Sequence, residues 1–128
     1  MTDIVIEGGI HSVTALRDAL AAFSARFDVG VYNYRAPQKK REKYAVWGAT
    51  GASEPFWADD GCLNMRVTGQ LWYYSIDAFD AAVNGLLHLL IDNGADCVIR
   101  EIGYDDDLSQ VVWVMDWAVT ADGESGPY

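Results

Sequence analysis

The sequence predicts an α+β fold, a two-layer sandwich in which two helices cover one face of a mixed or antiparallel sheet. Three observations carry this. Two segments, 12–27 and 75–92, have apolar residues at helical spacing, each forming one stripe. Five others alternate apolar with polar residues or are rich in β-branched and aromatic residues. Their order is α-β-β-β-α-β-β, and two helices with one stripe each are satisfied by a single sheet face.

Each element follows from local chemistry. Ser12 is the expected N-cap of the first helix, whose stripe is Val13, Leu16, Leu20, Phe23 and Phe27; Asp28 and Gly30 end it. Residues 29–35 alternate Val29, Val31 and Asn33 against Gly30, Tyr32 and Tyr34. Pro37 blocks their continuation, and 43–50 (KYAVWGAT) reads as a second strand. These two strands are expected to form a hairpin with the basic loop at its tip. Residues 51–61 form a loop with an Asp59-Asp60-Gly61 turn signal. Over 63–75, Leu63, Met65, Val67, Gly69, Leu71 and Tyr73 share one face; Asn64, Arg66, Thr68, Gln70, Trp72 and Tyr74 share the other.

The second helix is expected to start at Ser75 or Asp77, with Phe79, Val83, Leu86, Leu87 and Leu90 on its apolar side. Asp80, Asn84, His88 and Asp92 line the opposite side, and Asn93-Gly94 stops it. Residues 96–104 and 108–120 are two more strands joined at Asp105-Asp106-Asp107. Val111, Trp113, Met115, Trp117 and Val119 share one face of the last. Residues 1–11, with the run Ile4-Val5-Ile6 and Gly8-Gly9, read as an N-terminal arm or edge strand. The single domain spans 12–120, and 121–128 reads as a flexible tail.

A chain of 128 residues points to one domain, and one this size buries roughly two-thirds of its unfolded surface. With 51% hydrophobic residues and 5 Trp, 7 Tyr and 4 Phe, it has ample material for a core without metal or disulfide. No apolar run approaches the roughly 20 residues of a membrane helix. The start MTDIVIEGGIHS is unlike a secretory signal. Cys62 and Cys97 have no metal-ligand spacing and read as reduced, buried thiols.

Charge is unevenly distributed. Residues 1–43 carry a net +2, residues 44–128 a net −12, and five of the nine bases fall between Arg35 and Lys43. An acidic body with one basic loop suits head-to-tail contact between copies, and equally a soluble acidic protein with a solvated loop.

Nothing in the sequence spells an active site. Asp105–Asp107 with Glu101 lacks the spacing of a calcium loop and reads as an exposed acidic turn. His88 lies on the polar helix side, no Ser or Cys sits in a nucleophile motif, and no glycine pair precedes a phosphate-loop lysine. The basic loop has Tyr32, Tyr34, Tyr44 and Trp47 close by, a mixture that can bind single-stranded nucleic acid. In a strongly acidic chain those aromatics read better as strand-pair and core residues. No cofactor is expected.

Four pieces in order, VGVYNYRAP, KYAVWG, FWADDG and RVTGQLWYYS, resemble the small tail terminator or tail-completion proteins of long-tailed bacteriophages, often called minor capsid proteins. The resemblance runs from about Val13 to Val119. Asp60 stands where that family more often has Asn, and Ser75-Ile76-Asp77 replaces its Thr and polar follow-on. It implies a structural role, not an enzyme: a homo-oligomeric ring, typically hexameric, that ends tail-tube growth and mediates head–tail joining. The implied partners are the tail tube protein and a head-completion or connector protein. DNA passes through without specific binding, and no membrane is involved. The protein would reside in the virion tail or neck, and in the host cytoplasm during assembly. Arg35, Lys39, Lys40, Arg41, Lys43, Phe56, Trp57, Asp59 and Asp60 are the candidate inter-subunit or tube-binding residues. The alternative is a small acidic phage protein that inhibits a host or defence protein as a DNA mimic, suggested by the −12 of residues 44–128.

Overall fold

The computed structural model describes residues 4–38, 42–52, 57–58, 61–62 and 64–122. Helix α1 (Val13–Phe27) begins where the Ser12 hydroxyl accepts the Ala15 N–H at 3.0 Å, satisfying one of the unpaired donors of a helix start. It buries Leu16, Ala19, Leu20 and Phe23 and ends at Asp28, which adopts a left-handed conformation. Then follow β1 (Gly30–Asn33), β2 (Tyr44–Ala52), a two-strand ribbon of β3 (Trp57–Ala58) and β4 (Gly61–Cys62), and β5 (Asn64–Ser75). Helix α2 (Ala81–Asp92), β6 (Asp96–Asp105) and β7 (Gln110–Asp122) complete the chain. The expected α+β sandwich is present. Its five-stranded mixed sheet has the order β1-β2-β5-β7-β6, and both helices lie on one face.

Paired strands share faces, so register sorts the side chains. Val67, Gly69, Leu71 and Tyr73 of β5 stand opposite Val119, Trp117, Met115 and Trp113 of β7, all on the helix side. Leu71, Tyr73, Met115 and Val119 are fully buried there with Phe23, Leu86, Leu89 and Leu90. No helix among the described residues is long and apolar enough to cross a membrane.

Two expectations are corrected. β1 and β2 are parallel, so they form no hairpin. A parallel pair needs a connection long enough to return to the start of the first strand, and residues 34–43 provide it.

The start of α2 is also displaced. Its N-cap is Asp80, not Ser75 or Asp77. Asp80 is therefore buried rather than on a polar helix face, and Phe79, outside the helix, is 94% exposed.

Residues 4–10 are bonded to the end of α2. The Ile6 N–H donates to the Asn93 side-chain oxygen at 2.9 Å, the Asn93 amide donates to Ile4 O at 3.1 Å, and the Ile10 N–H donates to Asn93 O at 2.7 Å. Ile10 is fully buried. β7 continues to Asp122, and 123–128, the greater part of the expected tail, lie outside the described residues.

Candidate functional site

The helices leave one sheet face uncovered, and that face carries an unusual set of side chains. Its first row is aromatic. Tyr32 lies beside Tyr44 with ring centroids 6.3 Å apart, and Tyr44 stacks on Tyr74 at 4.6 Å with an interplanar angle of 12°. Register continues the row to Val112 on β7 and Gly103 on β6. The next row is Val46, Trp72, Val114 and Glu101. Trp72 is 41% exposed.

Two concavities share Trp72. One, of about 520 Å³, runs between Tyr34, Ala36, Tyr44, Tyr74 and Leu108. The other, of about 620 Å³, is bounded by Arg100, Glu101, Gly103 and the acidic turn Asp105-Asp106-Asp107. Burial and the neighbouring Asp105 carboxylate raise the Tyr74 phenol. Burial, Tyr74 and Asp105 raise Tyr44 likewise. These phenols stay neutral in ordinary buffers, so the site is aromatic and uncharged at its centre and acidic at its rim. A third concavity, of about 570 Å³, opens on the helix side between α1 and β1. Among its lining residues Arg17 is the one charged group, already paired to Asp18 at 3.2 Å.

Tyr34 is held over this face by its backbone. It has a left-handed φ of 64°, its N–H donates to Trp47 O at 2.7 Å, and its hydroxyl donates to Ala49 O at 3.0 Å. Its ring occupies the space a side chain at Gly48 would need. The bases of this region are engaged within the chain: Arg100 with Asp116 at 3.7 Å and Arg66 with Asp96 at 2.9 Å.

Of the residues singled out from sequence, Arg35 is exposed, with its backbone N–H bonded to Asn33 O at 2.8 Å. Lys43 is drawn inward: its Nζ lies 3.4 Å from Asp80 Oδ2. Burial alone would raise the Asp80 carboxyl. Hydrogen bonds from Tyr73, the Ala82 N–H and Ser75, with the Lys43 charge, outweigh it and hold the group below the ordinary carboxylate range. Trp57 pairs through β3 with Cys62. Lys39, Lys40, Arg41, Phe56, Asp59 and Asp60 lie outside the described residues.

The four aromatics expected around the basic loop separate. Tyr32, Tyr34 and Tyr44 lie on the uncovered face, whereas Trp47 is buried on the helix side against Trp117. The signal for Trp72 and Tyr74 was present in the alternation of β5, which sets both opposite the core residues.

Among the described residues no three His, Cys, Asp or Glu side chains are grouped to hold a metal ion. The Cys97 thiol is pushed up to about 12 by burial and by Asp116. His88, with Nδ1 3.9 Å from Asp92, stands on the opposite layer. No protein-family model matches the chain, and no curated protein is significantly similar to it.

Proposed function

We propose that the protein is a structural component of a phage tail end. In this reading it forms a ring, typically of six copies, at the end of the tail tube, stops further polymerisation and mediates joining to the head. The observation that carries the reading is the uncovered sheet face, where Trp72 is exposed and Tyr32 and Tyr74 are half-buried around the buried Tyr44, beside an acidic rim. Aromatic surface with a polar border is the composition of protein interfaces. The four-piece resemblance supplies the kind of assembly. A basic loop on one copy and an acidic rim on the next supply a head-to-tail contact. Each chain carries a net charge of −10, so closing a ring of six copies away from its template gathers like charge and is disfavoured.

Quantitative mass spectrometry of purified particles of the source phage tests this. About one ring of copies per virion supports it. Abundance in infected cells with absence from particles overturns it. That second outcome favours an acidic inhibitor, a reading supported by the exposed Asp106 and Asp107. Such an inhibitor would bind a DNA-handling protein as a soluble monomer, with strong salt dependence.

A further inference from the structure

Strand β6 is a sheet edge, bonded among the described residues to β7 alone. It is long for an edge, 10 residues, and it exposes Val98 (60%), Ile102 (60%) and Tyr104 (61%). A long edge with exposed apolar side chains and unpaired backbone groups is a template for another strand.

The bulge in β6 decides which strand fits. Cys97 and Ile99 stand opposite Trp117 and Met115, on the helix side. Pairing then skips Arg100, so Ile102 and Tyr104 stand opposite Trp113 and Val111, again on the helix side. Val98, Glu101 and Gly103 face the uncovered side, as does Arg100 through its ion pair with Asp116. In an unbroken strand, positions three or five apart face opposite ways. Here the inserted residue makes the strand symmetric about the midpoint of Arg100 and Glu101. Arg100 and Glu101 share a face, as do Ile99 and Ile102, Val98 and Gly103, and Cys97 and Tyr104. The inserted residue shifts the alternation of outward backbone groups in the same way.

We propose that β6 pairs antiparallel with β6 of a second copy, about a two-fold axis between Arg100 and Glu101, joining two five-stranded sheets into one. Cross-strand neighbours must share a face and gain from opposite charge. This register meets both conditions: each Arg100 lies opposite Glu101 of the other copy, each Ile99 opposite Ile102, and each Cys97 opposite Tyr104. A slip of one residue brings Arg100 against Arg100, or Glu101 against Glu101, and opposes side chains on different faces. Like charges meet only at the ends, Asp96 against Asp105, and Asp96 is already paired with Arg66. Such a contact closes after two copies. It is distinct from the head-to-tail contact of a ring, and stands whether or not the ring reading holds.

The test is sedimentation equilibrium of the full chain as wild type, R100E, E101R, the double variant R100E/E101R, and an equimolar mixture of the two single variants. Wild type is expected to dimerise. Each single variant, which turns two attractive cross-strand pairs repulsive, should weaken the dimer about tenfold or more. The double variant and the mixture should both restore it. Thermal melts should differ little, since both positions are exposed. In a C62S background, Y104C should give a disulfide-linked dimer through Cys97 under oxidised glutathione, whereas I102C should give far less. A wild-type monomer at millimolar concentration overturns the proposal. So do single variants that dimerise like wild type, or a mixture that stays monomeric.

Discussion

The Tyr73 hydroxyl donates to Oδ2 of Asp80 at 2.7 Å, and through this bond the middle of the sheet is fastened to the first turn of α2. Asp80 Oδ1 meanwhile accepts the Ala82 N–H at 2.9 Å as the helix N-cap, and Lys43 at the start of β2 adds its charge to the same carboxylate. One buried side chain thus couples β2, β5 and α2. Replacing it by alanine removes the cap and strands the Tyr73 hydroxyl. D80A should cost about 3 kcal/mol by urea denaturation, and Y73F, which removes one donor and leaves the cap, about 1 kcal/mol.

The same pair shapes stability against pH at both ends. The folded carboxyl of Asp80 sits below its unfolded value. Its contribution is therefore present above the unfolded pKa, about 3.9, and is lost as pH falls through the lower folded value. Tyr73 is raised, by burial first and then by its bond to Asp80. Its contribution is complete below about pH 10 and is lost as pH rises beyond that. Denaturation midpoints taken across both limbs should show the acid slope reduced in D80N and the alkaline slope reduced in Y73F.

Lys43 should behave differently from its basic neighbours. Its ammonium faces the buried Asp80, so K43E brings a second negative charge to a carboxylate that cannot return to water. The expected loss is about 2 kcal/mol. A triple charge reversal of Lys39, Lys40 and Arg41 should leave the urea midpoint nearly unchanged while abolishing assembly onto tails. Normal tail capping by that triple variant would remove the basic loop from the proposed interface.

How far these relationships could be read from sequence depends on their range. The stripes of α1 and α2 and the alternation of β5 and β7 are local, and Leu71, Tyr73, Met115 and Trp117 fall on the face their spacing predicts. The direction of β1 is not local. A proline and a polar run between two strands read alike whether the chain doubles back or returns to run parallel, and pairing with β2 at the sheet edge decides it. The docking of residues 4–10 depends on Asn93, almost ninety residues away, for which no short-range signal exists. The uncovered aromatic face was half legible. Alternation set Trp72 and Tyr74 away from the core, while only the sheet order brings Tyr44 between Tyr32 and Tyr74.

Two glycines on neighbouring strands should respond unequally to alanine. A Cβ on Gly69 would lie 2.2 Å from the Gly48 carbonyl oxygen and 2.3 Å from the buried Trp117 ring. The carbonyl can yield only by opening the β2–β5 pairing, and the Trp117 ring is packed in the core, so G69A should cost about 3 kcal/mol or more. A Cβ on Gly48 meets the Tyr34 ring first, and that residue is 66% exposed. G48A should therefore cost about 1 kcal/mol or less, displacing Tyr34 from the face. Urea midpoints of the two variants give the comparison, and Tyr34 fluorescence or ring NMR signals report the displacement.

Trp72 offers the sharpest separation of fold from assembly. Its ring stands in the second row of the uncovered face, shared by both concavities, with the indole N–H donating to Gln70 Oε1 at 3.4 Å. Truncation removes partly exposed surface and leaves no sealed cavity, so W72A should cost about 1 kcal/mol or less in urea. At an interface the same side chain is a candidate anchor, where loss of a central Trp costs about 2 kcal/mol or more in binding. Tail completion by W72A, measured as the fraction of normal-length tails joined to heads, should then fall well below that of wild type at equal protein levels. A variant that folds and completes tails like wild type would count against the proposed tail-end contact at this face.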